Sequence, residues 1–369
     1  MYSCKSHIIE IYTDTLSKEP WWSPPGVSLM AARRMWPTTS GEGVVVAVID
    51  TGVDYNHDDL AANIIGGRSF VPDENDYMDY NGHGTHVAGT IAAKGKILGV
   101  APNAKILVIK VLNKDGQGSY SSIAQGIAWA RQWRGDNGEQ VNIINMSLGG
   151  PLPNQSLHRE LIKTAESGIA VVCAAGNSGD GKDDTSEISY PAYYPECLAV
   201  GAVDLNTRVA NFSNSNNRID IVAPGVDTYS TYPGNRYVKL SGTSMAAPHV
   251  TGALALIYSR FFMRFNKYPT IEFIREHLHY QAIDLGKLGF DNLYGYGLFS
   301  FNIDGGKSIK LFMDNREYHV NGRSYYLNQE PFWQGNSAYI SVSELCNLLG
   351  CDCTLLAKGE KPEQIEIWS

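Results

Sequence analysis

Six short runs rich in Val, Ile and Ala constrain this chain most: VVVAVID (44–50), KILVIKVL (105–112), NIINMSL (142–148), AVVCAAGN (170–177), CLAVGAV (197–203) and DIVAPG (220–225). Each is almost continuously apolar instead of alternating, the pattern of a strand covered on both faces. Helical patterns over 83–93, 121–134, 156–168, 243–261 and 271–279 lie between or after these runs. Strand–helix–strand repetition of this kind predicts an α/β fold with a doubly wound, mostly parallel sheet. In such sheets ligands bind beyond the carboxyl ends of the strands, so chemistry is expected in the loops that follow the runs.

Apolar residues make up 43% of the 369, enough for a large core, which excludes wholesale disorder. Thirty basic residues against 38 acidic ones leave a net charge of −8, with no basic block, so no nucleic acid partner is expected. No apolar run approaches the ~20 residues that a bilayer requires, so no membrane span is expected. The opening MYSCKSHIIEIYTDTLSKEP lacks the apolar core of a secretory signal and begins with Met1, which predicts a cytoplasmic location. Six irregularly spaced cysteines read as reduced thiols and not as a disulfide framework. A homodimer is left open.

The organisation reads as an arm (1–26), a main domain (27–302) and a small α+β appendage (303–369). In the appendage, rough alternation over 308–327 predicts a hairpin turning at Asn321-Gly322 or Asp314-Asn315. SVSELCNLLG (341–350) predicts a short helix, and the terminal IEIW a closing strand.

Three short motifs sit where the sheet would place a crevice. Asp50-Thr51-Gly52 ends the first run, and a carboxylate there can accept a hydrogen bond from an imidazole. A turn aspartate is the bland alternative. Asn81-Gly82-His83-Gly84-Thr85-His86 begins a helix with glycines on both sides of His83. His83 and His86 share a helix face, but no third metal ligand is nearby. Ser241-Gly242-Thr243-Ser244-Met245 puts a serine at the start of a long helix, exposed near the positive end of its dipole, where an N-cap is the bland alternative. Together the three give Asp, His and Ser in that order, at separations of 33 and 161 residues. The order differs from those of the chymotrypsin and α/β-hydrolase arrangements and matches that of subtilisin.

On DTG, GHGTHVAGT and GTSMAAPHV, the chain from about Val27 to Phe301 resembles the subtilisin-family serine proteases. Within them VVCAAGNSGDG, ISYPAYYPE, FSNSNNRIDIVAPG and the lead-in PPGVSLMAARRMW are most similar to the bacterial intracellular serine proteases. The resemblance implies a subtilisin-type fold and an endopeptidase that cuts protein or peptide substrates through an acyl-enzyme. It implies a triad of Asp50, His83 and Ser244, with Asn177 as the oxyanion donor. Substrate would lie between Gly116-Gln117-Gly118 and Ser147-Leu148-Gly149-Gly150, pairing as an added strand. A pocket with its floor at Ala174–Gly176 and Ser189 on one wall would take the side chain beside the cut, and Ser189 should make it shallow.

Of the family's cations, none enters the chemistry, and a structural Ca²⁺ or Na⁺ is the most that is expected. Asp59 matches a calcium ligand, but the loop that would complete the site is only Lys94-Gly95-Lys96-Ile97 and carries two lysines. A weaker site would use Ala192, Tyr194, Cys197 and Asp220. The acidic loop with Asp180, Asp183, Asp184 and Glu187 is either solvated or attracts a cation or a basic substrate. The similar intracellular proteases carry a short inhibitory extension with a proline-containing motif; the comparable stretch here, IIEIY (8–12), departs from it in having no proline, so inhibition by the arm is a hypothesis only. The alternatives are an idle adaptor that works through residues 303–369, and an esterase.

Overall fold

The computed structural model describes residues 22–301 in full, and beyond them only the backbone of seven short strands. In chain order the main elements are α1 (Pro25–Leu29), β1 (Val45–Asp50), β2 (Ile64–Ser69), α2 (His83–Ala92), β3 (Lys105–Lys110), α3 (Tyr120–Gln132), β4 (Ile143–Met146), α4 (Gln155–Glu166), β5 (Ala170–Ala174), β6 (Cys197–Val203), β7 (Ile219–Pro224), β8 (Thr228–Tyr232), β9 (Arg236–Leu240), α5 (Thr243–Phe265), α6 (Ile271–Gln281), β10 (Ala282–Ile283) and β11 (Leu298–Phe299).

Nine strands form one sheet in the order β10-β11-β7-β6-β5-β4-β1-β3-β2, parallel throughout except for the β10–β11 pair. The six apolar runs became β1 and β3–β7, and their side chains divide between two layers. Val46, Val48, Ile106 and Val108 pack with residues of α2 and α5. Val45, Ala47, Ile49, Leu107 and Ile109 pack with residues of α3 and α4. Burial on both faces is why these strands do not alternate. After β1 the chain builds β2 and β3 on one side, then returns to place β4 on the other. That reversal opens a crevice at the carboxyl ends of β1 and β4.

The edge strand β2, the separate β8–β9 hairpin and the short elements α1, β10 and β11 were not expected. Past residue 301 the backbone shows Ile309–Leu311, Glu317–Val320 and Arg323–Tyr326 as one antiparallel sheet. Val320 pairs with Arg323, and both expected turns, Asn321-Gly322 and Asp314-Asn315, lie outside the described residues. Phe332–Gln334 pairs with Ser337–Tyr339, and Asp352–Ala357 with Pro362–Trp368, which contains the expected closing strand. The arm over residues 1–21 and the helix expected at 341–350 lie outside the described residues.

Candidate active site

Asp50 is the last residue of β1 and is fully buried. Its Oδ1 accepts from the Thr51 N–H at 2.7 Å and faces His83 Nδ1 at 2.7 Å, while Oδ2 is buried without a partner. His83 opens α2. Gly82 before it has φ +106°, which only glycine adopts freely, and a Cβ there would run into the Tyr232 ring. A Cβ on Gly84 would meet the Gly52 carbonyl at 2.1 Å, so glycine is what lets the helix start against the Asp50 turn. Burial disfavours the charged His83 ring, yet the Asp50 charge and hydrogen bond, with Asp79 behind them, outweigh it and raise its pKa above the ordinary value.

Ser244 is the second residue of α5. Its carbonyl would ordinarily accept from the N–H of residue 248, but Pro248 has none. Ser147 Oγ donates to that carbonyl instead, at 2.8 Å, and Ser244 Oγ donates back to the Ser147 carbonyl at 3.1 Å. The hydroxyl therefore lines the same cleft as His83 without bonding to the ring in this conformation. The Ser244 N–H, in the first turn of α5, has no intrahelical acceptor and points with the positive end of the helix. Asn177 follows β5, where its Oδ1 accepts from Thr243 N–H at 2.8 Å and Thr243 Oγ1 at 2.9 Å. This turns the exposed amide N–H₂ of Asn177 toward the cleft beside Ser244.

A cleft of about 690 Å³ carries His83 and Ser244, with Gly116, Gln117 and Gly118 on one wall and Ser147, Leu148, Gly149 and Gly150 on the other. A recess of about 260 Å³ adjoins it, lined among others by Ala174, Gly176, Ser189, Asn177 and Ser244. The expected residues are thus brought together. Sequence reasoning missed the apolar end of the cleft, formed by Leu112, Tyr120, Ile123, Leu157, Tyr190 and Pro191. It gave no role to Thr243, although the serine motif contains it, and it did not single out Asp79.

The expected cation ligands are engaged otherwise. Asp59 Oδ1 accepts from Lys96 N–H at 2.7 Å and Oδ2 from Ile97 N–H at 2.9 Å, and the Tyr237 hydroxyl bonds to the same carboxylate. Trp22 pairs with the loop as well, since its carbonyl accepts from Leu98 N–H at 3.0 Å. A hard cation needs six to eight oxygens, and here the loop presents N–H donors to the carboxylate, so these residues do not fit Ca²⁺. At the weaker site, Asp220 Oδ1 takes Arg275 Nη1 at 3.0 Å and His279 Nε2 at 2.9 Å, and Oδ2 takes Ala199 N–H at 2.8 Å. Arg275 Nη2 donates to the Cys197 carbonyl at 2.9 Å, and the Tyr194 carbonyl accepts from Cys197 N–H. Ala192 is buried beside them. A guanidinium supplies the positive charge there, so Ala192, Tyr194, Cys197 and Asp220 do not fit a metal ion either. In the acidic loop, Asp180 bonds Lys182 N–H and Thr185 Oγ1, Asp183 pairs with Lys287, and Glu187 accepts from Ser215 N–H.

Residues 41–297 match the family model described as the subtilase family. The chain is 50% identical over 260 residues to the "Intracellular serine protease" of Paenibacillus polymyxa, covering 69% of this chain and 78% of that one. It is 49% identical over 245 residues to the "Major intracellular serine protease" of Bacillus subtilis (strain 168), covering 64% and 75%. To "Subtilisin DY" of Bacillus licheniformis it is 47% identical over 281 residues, covering 74% and 96%. The chain belongs to the subtilase family. It is a serine endopeptidase. Among the described residues, no helix is long and apolar enough to cross a membrane.

Proposed function

We propose that this endopeptidase cuts protein substrates through an ester formed on Ser244, with His83 as general base and acid and Asp50 as its partner. With Nδ1 held by Asp50, the His83 ring offers Nε2 to the cleft. Rotation about the Ser244 Cα–Cβ bond exchanges the Ser147 carbonyl for that nitrogen. Ser244 Oγ then bonds to the scissile carbon as its proton passes to Nε2. The carbonyl electron pair moves onto oxygen, where Asn177 Nδ2 and the Ser244 N–H receive it. Collapse breaks the C–N bond and the amine leaves with the proton from Nε2. Water repeats the steps to free Ser244.

The extended substrate lies between 116–118 and 147–150, with the side chain before the cut in the recess walled by Ser189. The Asp50–His83 contact at 2.7 Å, in the same cleft as Ser244, carries this reading. We place the chain in the cytoplasm, on the strength of its likeness to proteases named intracellular.

The test compares hydrolysis of an unfolded protein with that of a simple ester, for wild type and Ser244→Ala. Peptide turnover that falls by about 10⁶-fold in the variant, the loss known for subtilisin itself, agrees with the reading. Ester turnover without peptide turnover contradicts it.

A further inference from the structure

We propose that Asp79 is a positioning residue, a buried clamp that fixes the turn before His83 against the turn after Asp50. The inference rests on the triad reading above. Asp79 lies in the loop ahead of α2 and is only 2% exposed. Its Oδ1 accepts from Thr51 Oγ1 at 2.9 Å, Asn81 N–H at 2.9 Å and Gly82 N–H at 2.8 Å. Its Oδ2 accepts from Thr85 N–H at 2.9 Å and Thr85 Oγ1 at 2.6 Å. These two oxygens thus take up the N–H groups of Asn81 and Gly82 ahead of His83 and of Thr85 two residues past it. A local turn would need no more than the bonds to 81 and 82. The bond to Thr51, 28 positions away, is different in kind.

Thr51 closes the frame. Its N–H bonds the same Asp50 oxygen that faces His83, and its Oγ1 accepts from Gly84 N–H at 2.9 Å. One hydroxyl therefore joins the residue after Asp50 to the residue after His83, and Asp79 holds that hydroxyl. Lys110, fully buried on β3, steadies the far side by donating to the Thr51 carbonyl at 2.7 Å while pairing with Glu74 at 3.1 Å.

Asp79 also acts by charge. It forms no ion pair among the described residues, and its charge is one of those that raise the His83 pKa. The groups that bear on His83 are Asp50 from β1, Asp79 from the loop, His86 one turn along α2, and, behind Thr51, the Lys110–Glu74 pair. Of these, Asp50 and Asp79 favour the imidazolium. Removing the Asp79 charge makes that cation less favourable, so His83 stays unprotonated to lower pH.

The test measures kcat and KM against pH for wild type, Asp79→Asn, Thr51→Val and Ser244→Ala, with near-ultraviolet circular dichroism as the check on folding. For Asp79→Asn the expected result is an acid limb of kcat/KM moved to lower pH, and kcat reduced roughly tenfold to a hundredfold with KM little changed. A limb and a kcat that coincide with wild type overturn the inference. Should Asp79→Asn not fold, Thr51→Val decides, because it keeps the carboxylate and cuts the bridge. A lower kcat at unchanged KM supports the clamp, and wild-type kcat overturns it. Ser244→Ala separates the two questions, since full activity there would sink the triad reading itself.

Discussion

Ser147 and Ser244, 97 positions apart, exchange two hydrogen bonds, each hydroxyl donating to the other residue's carbonyl. Pro248 creates the vacancy that Ser147 fills. Asn145 Nδ2 holds the Ser147 hydroxyl at 3.0 Å, and Thr251 Oγ1 holds Asn145 Oδ1 at 2.7 Å. Ser147→Ala leaves a buried carbonyl without its donor, a cost of about 1–3 kcal/mol. We expect a lower melting temperature and a kcat reduced roughly tenfold, because the first turn of α5 loses a fixed point. Thermal melts and steady-state kinetics check both.

Asn177 is oriented through its oxygen, which Thr243 holds, so the nitrogen is free for substrate. Asn177→Ala should lower kcat by roughly 10²–10³, the magnitude known for this donor in subtilisin itself, with little change in KM. A comparable rise in KM instead would mean that the amide binds ground-state substrate.

Two other histidines predict how stability depends on pH. His86 and His249 are fully buried, and burial lowers the pKa of each from 6.5 to about 4. His86 donates from Nε2 to the Thr228 carbonyl at 2.9 Å, and its Nδ1 has no partner for a second proton. Between these two pKa values the unfolded chain binds protons that the folded chain refuses. The stabilisation is therefore complete above pH 6.5 and is lost as pH falls toward 4, by about 3 kcal/mol for each ring. The raised His83 pKa works the other way, favouring the fold at low pH, and offsets part of the loss. Denaturant midpoints between pH 7 and 4 should fall. Replacing His86 by Gln should flatten the fall.

Chelation should leave the fold intact. Asp59 is satisfied by Lys96 and Ile97 amides and Asp220 by Arg275, so neither site is expected to depend on calcium. A calcium site filled at a thousand times its Kd would add about 4 kcal/mol and raise the melting temperature by several degrees. Melts in calcium and in EDTA should instead coincide, whereas Asp59→Ala should lower both equally.

Much of this was legible in the sequence, and the reasons lie in particular residues. The runs at 44–50 and 105–112 announce β1 and β3 because both faces are buried. Asp50, His83 and Ser244 stand out because glycine and small residues crowd around each, as close backbone approach requires. The edge strand β2, with Gly66 and Gly67 inside it, has no such pattern. The hairpin strands TYSTY and RYVKL are too polar to read as core, although Pro233-Gly234-Asn235 between them is a turn in plain sight. Asp79 sits among Asp73, Glu74 and Asp76 in a polar loop, and only folding tells it from them. Arg275 is 55 positions from Asp220, so the displacement of a cation by a guanidinium could not be seen locally.

Asp50 and His83 should activate one hydroxyl among many. Intact-mass measurement after treatment with a fluorophosphonate tests it most directly. A single adduct is expected, mapped to Ser244, absent in Ser244→Ala and formed far more slowly in His83→Ala. A protein that hydrolyses peptides yet takes no adduct, or takes one elsewhere, would contradict it.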